Sequence, residues 1–213
     1  MHPGFIDRHD AALKLIPLLK AYQNEPGVVL AVPRGGVPIA YYIAKKFNLP
    51  LDLLMTKKIG HPLNSEYAIG AVSLQDQVVD DHANIPKEYV DREIARIRRS
   101  LVENYRKYMG DHKPIDLKNK TVIIVDDGIA TGNTILSSIK MLKQHNPKKI
   151  VVAVPVAPAK VAAKLKNEVD DFICLYTPEY FIGVGMHYGD FSEVSDEEVI
   201  RMLKDVNHIE DAA

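Results

Sequence analysis

Apolar residues fall along the chain in two patterns: short runs with few interruptions, and longer stretches with an apolar position every three or four residues. The short runs at 28–32, 51–55, 122–125, 150–154 and 172–175 read as strands, the β-branched ones as central strands buried on both faces. Helical spacing is expected at 10–22, 39–47 and 159–167, and from the loop after residue 125 through Leu142. A hairpin is expected across 69–79. Strand and helix alternate in the order that parallel βαβ units require, which predicts an α/β fold with a mostly parallel central sheet. Between 86 and 109 the positions Val90, Ile94, Ile97, Leu101, Tyr105 and Tyr108 recur at three- and four-residue spacing, so this polar segment is expected to be an amphipathic helix. Acids are interleaved among its arginines, which marks a solvated face rather than an RNA groove.

Length and charge narrow the function class. The 213 residues suit one domain, and a formal net charge of −1 argues against a general nucleic-acid or membrane binder. No apolar run is long enough to span a bilayer, and residues 1–10 lack a signal-peptide pattern, so a cytoplasmic location is expected. The single cysteine, Cys174, lies in a predicted strand without a basic neighbour and reads as a buried structural thiol.

The chemistry concentrates between Thr121 and Thr134. Val122, Ile123, Ile124 and Val125 form a strand whose C-terminal end carries Asp126 and Asp127, the edge at which ligands bind in an open α/β sheet. Gly128 and Gly132 permit tight turns, while Thr131 and Thr134 offer hydroxyls beside the N–H groups of a starting helix, a cradle for phosphate. Val-Asp-Asp occurs three times, but only this copy is followed by a Gly/Thr loop; the copy at 79–81 reads as a polar hairpin tip and the copy at 169–171 as a helix-to-strand turn. The loop lacks the lysine and the spacing of a Walker motif, and Gly183, Gly185 and Gly189 miss the dinucleotide fingerprint.

This segment resembles the phosphoribosyl-diphosphate (PRPP) signature of type I phosphoribosyltransferases. The resemblance implies that Asp126 and Asp127 hold the ribose hydroxyls, and that Gly128, Ala130, Thr131, Gly132, Asn133 and Thr134 surround the 5′-phosphate. Two further segments are similar to parts of that family. Pro33, Arg34, Gly35 and Gly36 look like its pyrophosphate loop, in which glycines let backbone N–H groups approach the diphosphate while the guanidinium pairs with its oxygens. A cis peptide often found in that loop would fall between Arg34 and Gly35. Thr56 to Pro62 places Lys57 and Lys58 at another strand end, ahead of a mobile hairpin; Lys57 is the first choice for a diphosphate contact and Lys58 the second.

The segment 178–191 resembles the hood of the 6-oxopurine transferases, with Tyr180 at the base-stacking position and Ile182 and His187 beside the acceptor. Ala130 and Pro158 stand where those enzymes carry an aspartate and a lysine, which argues against hypoxanthine or guanine. Over nearly its whole length the chain is similar to bacterial proteins described as predicted phosphoribosyltransferases. The implied fold is that of the type I family, with a central sheet flanked by helices, a mobile hairpin, a long helical insertion at about 86–110, and a small hood formed by about 178–213 with the N-terminal segment. The implied reaction transfers phosphoribosyl from PRPP to a small-molecule acceptor and releases pyrophosphate, with Arg34 and Lys57 neutralising the leaving group. Mg2+ would be held mainly through PRPP and pyrophosphate rather than in a protein metal site. No nucleic-acid or membrane partner is implied, and a homodimer is open. A PRPP- or nucleotide-sensing regulator and a hydrolase or phosphorylase of a phosphoribosyl bond remain alternatives.

Overall fold

Strand β1 (Gly27–Ala31) is buried at every position and lies between two parallel neighbours, β2 (Leu51–Leu53) and β6 (Thr121–Val125). Strands β7 (Lys149–Val156) and β8 (Asp171–Tyr176) extend the sheet, giving the order β2-β1-β6-β7-β8. The protein is seen in a computed structural model that describes residues 4–80 and 85–208.

Alternate residues of each strand serve opposite cores, as a period of two requires. Val29, Ala31, Ile123, Val125, Val151 and Ala153 face helices α1 (Arg8–Leu15), α2 (Gly36–Phe47), α3 (Lys87–Met109) and α6 (Asp196–Asn207). Val28, Leu30, Val122, Ile124, Ile150 and Val152 face α4 (Asn133–Leu142) and α5 (Ala159–Lys166). Such two-sided burial is why these strands are unbroken apolar runs.

The first expected helix divides in two. Residues Arg8–Leu15 are α-helical and Ile16–Tyr22 continue as a 3-10 helix. Pro17 at its start has no N–H to donate to residue 13, so the tighter winding follows. The 86–109 segment is one helix of 23 residues, burying Ile94, Ile97, Leu101, Tyr105 and Met109. The Tyr105 hydroxyl donates to buried Asp52 of β2 at 2.9 Å, tying this helix to the sheet edge.

Residues 56–62, expected to be a flexible strand-end loop, contain a third kind of element. Thr56–His61 forms β3, which pairs with β4 (Asn64–Ser73), and β4 pairs with β5 (Gln77–Val79) in a separate antiparallel sheet. The hairpin is therefore longer than the expected 69–79. In β3 only Ile59 is buried, so its own apolar content gave little signal, and the strand exists through its partner.

The C-terminal helix α6 was not expected from apolar spacing. Its start carries a capping box, with the Ser195 side chain accepting from Glu198 N–H and the Glu198 side chain from Ser195 N–H. Three acids in the first turn complement the helix dipole, and Val199, Met202 and Leu203 anchor it to the core.

Candidate functional site

All five parallel strands end at one edge of the sheet, and the chain leaves β1, β2 and β6 there within hydrogen-bonding reach of one another. Val32 N–H donates to Val125 C=O at 2.9 Å, so the Pro33 to Gly36 turn lies beside Asp126 and Asp127. Asp126 is half-buried and Asp127 is buried. Asp127 N–H donates to Asp126 Oδ1 at 2.8 Å, and the Tyr188 hydroxyl donates to the Asp127 carbonyl at 2.6 Å. Burial pushes both carboxyls up; the neighbouring charge of Asp127 raises Asp126 further, while the Arg8 guanidinium holds Asp127 down against the same burial.

Arg8 is the residue that the motif reading missed. It sits in the first turn of α1, and its Nε and Nη2 donate to Asp127 Oδ2 at 3.0 and 2.8 Å. Its remaining terminal nitrogen donates to the Ser192 carbonyl at 2.7 Å, and its guanidinium lies 4.1 Å over the Phe191 ring. Backbone pairing of Phe5 with His187 and Gly189, and of Ile6 with Asp190, brings the N-terminal segment against the C-terminal one. No local pattern in the sequence links Arg8 to an acid this far along the chain.

The turn after β1 differs from expectation in two details. The cis peptide joins Pro33 to Arg34, one bond earlier than expected. Gly36 N–H is spent on Val32 C=O at 3.0 Å, so it is not a bare donor for a ligand. Glycine is needed there for room: a Cβ on Gly36 would lie 2.6 Å from Val125 C=O, and one on Gly35 would lie 2.0 Å from Asp127 Oδ2. The two glycines pack the turn onto the acid pair. Arg34 itself pairs with Glu193 and, at 3.6 Å, with Asp196, which also binds Lys107 and accepts from the Tyr108 hydroxyl at 2.6 Å.

The loop 126–132 then delivers the chain to α4. Ala130, Thr131, Asn133 and Thr134 are exposed, and Ile129 N–H is anchored to Val156 C=O at 2.9 Å. Gly132 takes φ +73°, the left-handed region that glycine adopts without strain, and a Cβ there would also meet Val161 at 2.7 Å. No side chain caps α4, so the N–H groups of its first turn are available to an anion. Gly128 has Val184 and Val156 against it, with no space for a side chain.

Lys57 belongs to this constellation. It lines a cavity of about 150 Å3 together with Val32, Pro33, Thr134 and Ser138. The Ser138 hydroxyl bridges β3 to α4 by donating to Thr56 Oγ1 at 2.9 Å. Lys58, the next residue of the same strand, does not line that cavity.

The acceptor candidates are dispersed. Tyr180 and Ile182 are 83% and 86% exposed, with nothing stacked on Tyr180 among the described residues. His187 is buried, its ring stacked on Phe181 at 5.6 Å and edge-on to Tyr176 at 5.6 Å. Its Nε2 is buried without a hydrogen-bond partner among the described residues, and burial lowers its pKa, so the ring is neutral at pH 7. Of the other two Val-Asp-Asp copies, 169–171 is a turn into β8, and 79–81 begins at the end of β5 and runs beyond the described residues. Cys174 is half-buried and burial pushes its thiol pKa up, in keeping with a structural role.

Comparison with known proteins places this arrangement. The family described as "Phosphoribosyl transferase domain" matches residues 6–188. A Mycobacterium tuberculosis protein named "Putative phosphoribosyl transferase Rv0571c" is 36% identical over 208 residues, covering 93% of this chain. The chain spans about half, 46%, of that relative's length. The TT1426 crystal structure from Thermus thermophilus superposes with a TM-score of 0.85 at 35% identity, covering 94% of this chain and 98% of that one. Hypoxanthine-guanine phosphoribosyltransferase of Sus scrofa is 30% identical over 107 residues, which is 48% of this chain and 42% of that enzyme.

Proposed function

Because the chain belongs to the phosphoribosyl transferase domain family, with the type I α/β fold, we propose that it transfers the 5-phosphoribosyl group of PRPP to a nitrogenous base and releases pyrophosphate in a Mg2+-dependent reaction. The observation that carries this reading is the convergence of Asp126 and Asp127, the open N-terminus of α4, the Arg34 turn and Lys57 at one edge of the sheet.

In this reading the acid pair receives the ribose 2′ and 3′ hydroxyls, for which carboxylate oxygens are strong acceptors. The 5′-phosphate lies in the loop 130–134, against the free N–H groups of α4. The bond from the anomeric carbon to the diphosphate oxygen breaks through an oxocarbenium-like state, and an acceptor nitrogen forms the new bond as pyrophosphate leaves. Arg34 and Lys57 oppose the charge that builds on the leaving oxygens, so positioning and electrostatics supply most of the rate.

The donor set suits a magnesium ion carried by the substrate. Asp126 and Asp127 offer hard oxygens, and among the described residues no group of three His, Cys, Asp or Glu side chains could hold a metal by itself. When bound, the ion would neutralise diphosphate charge. Among the described residues no side chain is assigned as a general base at the loop, so an acceptor that is anionic, or that needs only orientation, fits the site. Ala130 and Pro158 argue against a 6-oxopurine.

A screen of pyrophosphate release over free bases tests the reading. Release that depends on one added base supports the transferase. Release without any base marks a hydrolase, and PRPP binding without release marks a sensor; either result would overturn the proposed transfer.

A further inference from the structure

Every guanidinium nitrogen of Arg8 is hydrogen-bonded, yet its side-chain partner is a residue assigned to the ligand. All three of its nitrogens donate: Nε and Nη2 to Asp127 Oδ2, and Nη1 to Ser192 C=O. Its side chain is 12% exposed, and Phe191 covers one guanidinium face. An arginine fork usually takes both oxygens of a carboxylate in parallel. Here both bonds converge on one oxygen, and Gly35 encloses the same oxygen from the turn after β1, since a Cβ there would lie 2.0 Å from it.

On the transferase reading above, we propose that Arg8 is the positioning residue of the donor site: by fixing Oδ2 of Asp127 it sets the carboxylate's rotation and presents Oδ1 to the ribose hydroxyls. Arg8 does not touch the reacting atoms. It acts through Asp127, and its contact with Ser192 couples that setting to the C-terminal segment. The groups facing Asp127 are Arg8 from α1, Asp126 beside it, and Tyr188, whose buried hydroxyl stays protonated and donates to the Asp127 carbonyl. Arg8 is the one cation among them. Lysine would keep the charge and lose the fork and the stacked plane.

The test compares Arg8→Met and Arg8→Lys with the wild type in calorimetric titrations, at neutral pH and with Mg2+, of PRPP, ribose 5-phosphate and pyrophosphate. Arg8→Met should weaken the two ribose ligands about 10- to 100-fold, the size of losing hydrogen bonds to a charged group, and leave pyrophosphate, which has no ribose hydroxyls, within twofold. Arg8→Lys should restore only part of the affinity. Binding of PRPP and ribose 5-phosphate by Arg8→Met within twofold of wild type overturns the inference, and so does an equal loss for pyrophosphate, which marks a merely structural role. A wild type that binds ribose 5-phosphate but not PRPP keeps the role of Arg8 testable while rejecting the transferase reading. A wild type that binds neither ligand rejects both.

Discussion

Arg34 and Glu193, 159 residues apart in the chain, form an ion pair across the mouth of the site. The guanidinium assigned to the diphosphate is thus matched by carboxylates, Glu193 directly and Asp196 at 3.6 Å. Glu193 is 78% exposed, so a polyanion can displace it at little cost. Glu193→Gln should therefore tighten PRPP binding by about two- to fivefold, the scale of an exposed ion pair. Calorimetry of the two proteins at low and high salt checks this, and the difference should shrink as salt screens the pair.

The acid pair makes the site a local liability. Both carboxyls are raised by burial, Asp126 more so through the charge beside it. A carboxyl with a raised folded-state pKa contributes fully below its unfolded value, about 3.9, and loses that contribution as pH rises through the folded value. Asp126→Asn removes the repulsion and should stabilise the fold by about 0.5–2 kcal/mol at pH 7, a few degrees in Tm. The gain should vanish below about pH 4, where the wild-type acid is protonated too. PRPP binding should fall in the same variant. Thermal melts from pH 4 to 8 decide it; a variant that is less stable at pH 7 contradicts the assignment.

Gly35 and Gly183 provide a matched pair. Alanine at 35 would place its Cβ against Asp127 Oδ2 at 2.0 Å, whereas Gly183 has nothing within 4 Å and extended backbone. Gly35→Ala should cost about 1–3 kcal/mol of stability through overpacking and weaken PRPP binding, and Gly183→Ala should change neither. Chemical denaturation with binding titrations separates the two.

Lys57 and Lys58 should differ although they are neighbours. Lys57 shares a cavity with Pro33 and Thr134, whereas Lys58 does not line it. Lys57→Ala should slow pyrophosphate release by about tenfold or more, as loss of one donor to a developing negative charge does; Lys58→Ala should have a much smaller effect. Equal losses in steady-state kinetics would remove Lys57 from the site.

What could be read in the sequence follows from which interactions are local. Val122 to Val125 are fully buried, and the strand that they predict is present together with its acid doublet and Gly/Thr loop. The amphipathic spacing of α3 likewise maps onto its buried face. Elements held by distant partners were not legible. Strand β3 depends on β4, and Arg8 acquires its meaning only from Asp127, 119 residues later. The start of α6 had a readable signal in Ser195 and Glu198, spaced as a capping box, which apolar periodicity passes over. The glycines at 35 and 36 read in the sequence as access for backbone N–H groups to the diphosphate; the crowding that requires them is tertiary.

That the edge formed by β1 and β6 is a PRPP donor site is tested by calorimetric titration of PRPP with and without Mg2+, on the wild type and on Asp127→Asn. The wild type should bind in a magnesium-dependent way, and the variant should lose about 1.5–3 kcal/mol, as for hydrogen bonds to a charged acceptor. Wild-type affinity in Asp127→Asn, or no PRPP binding by the wild type under either condition, would contradict it.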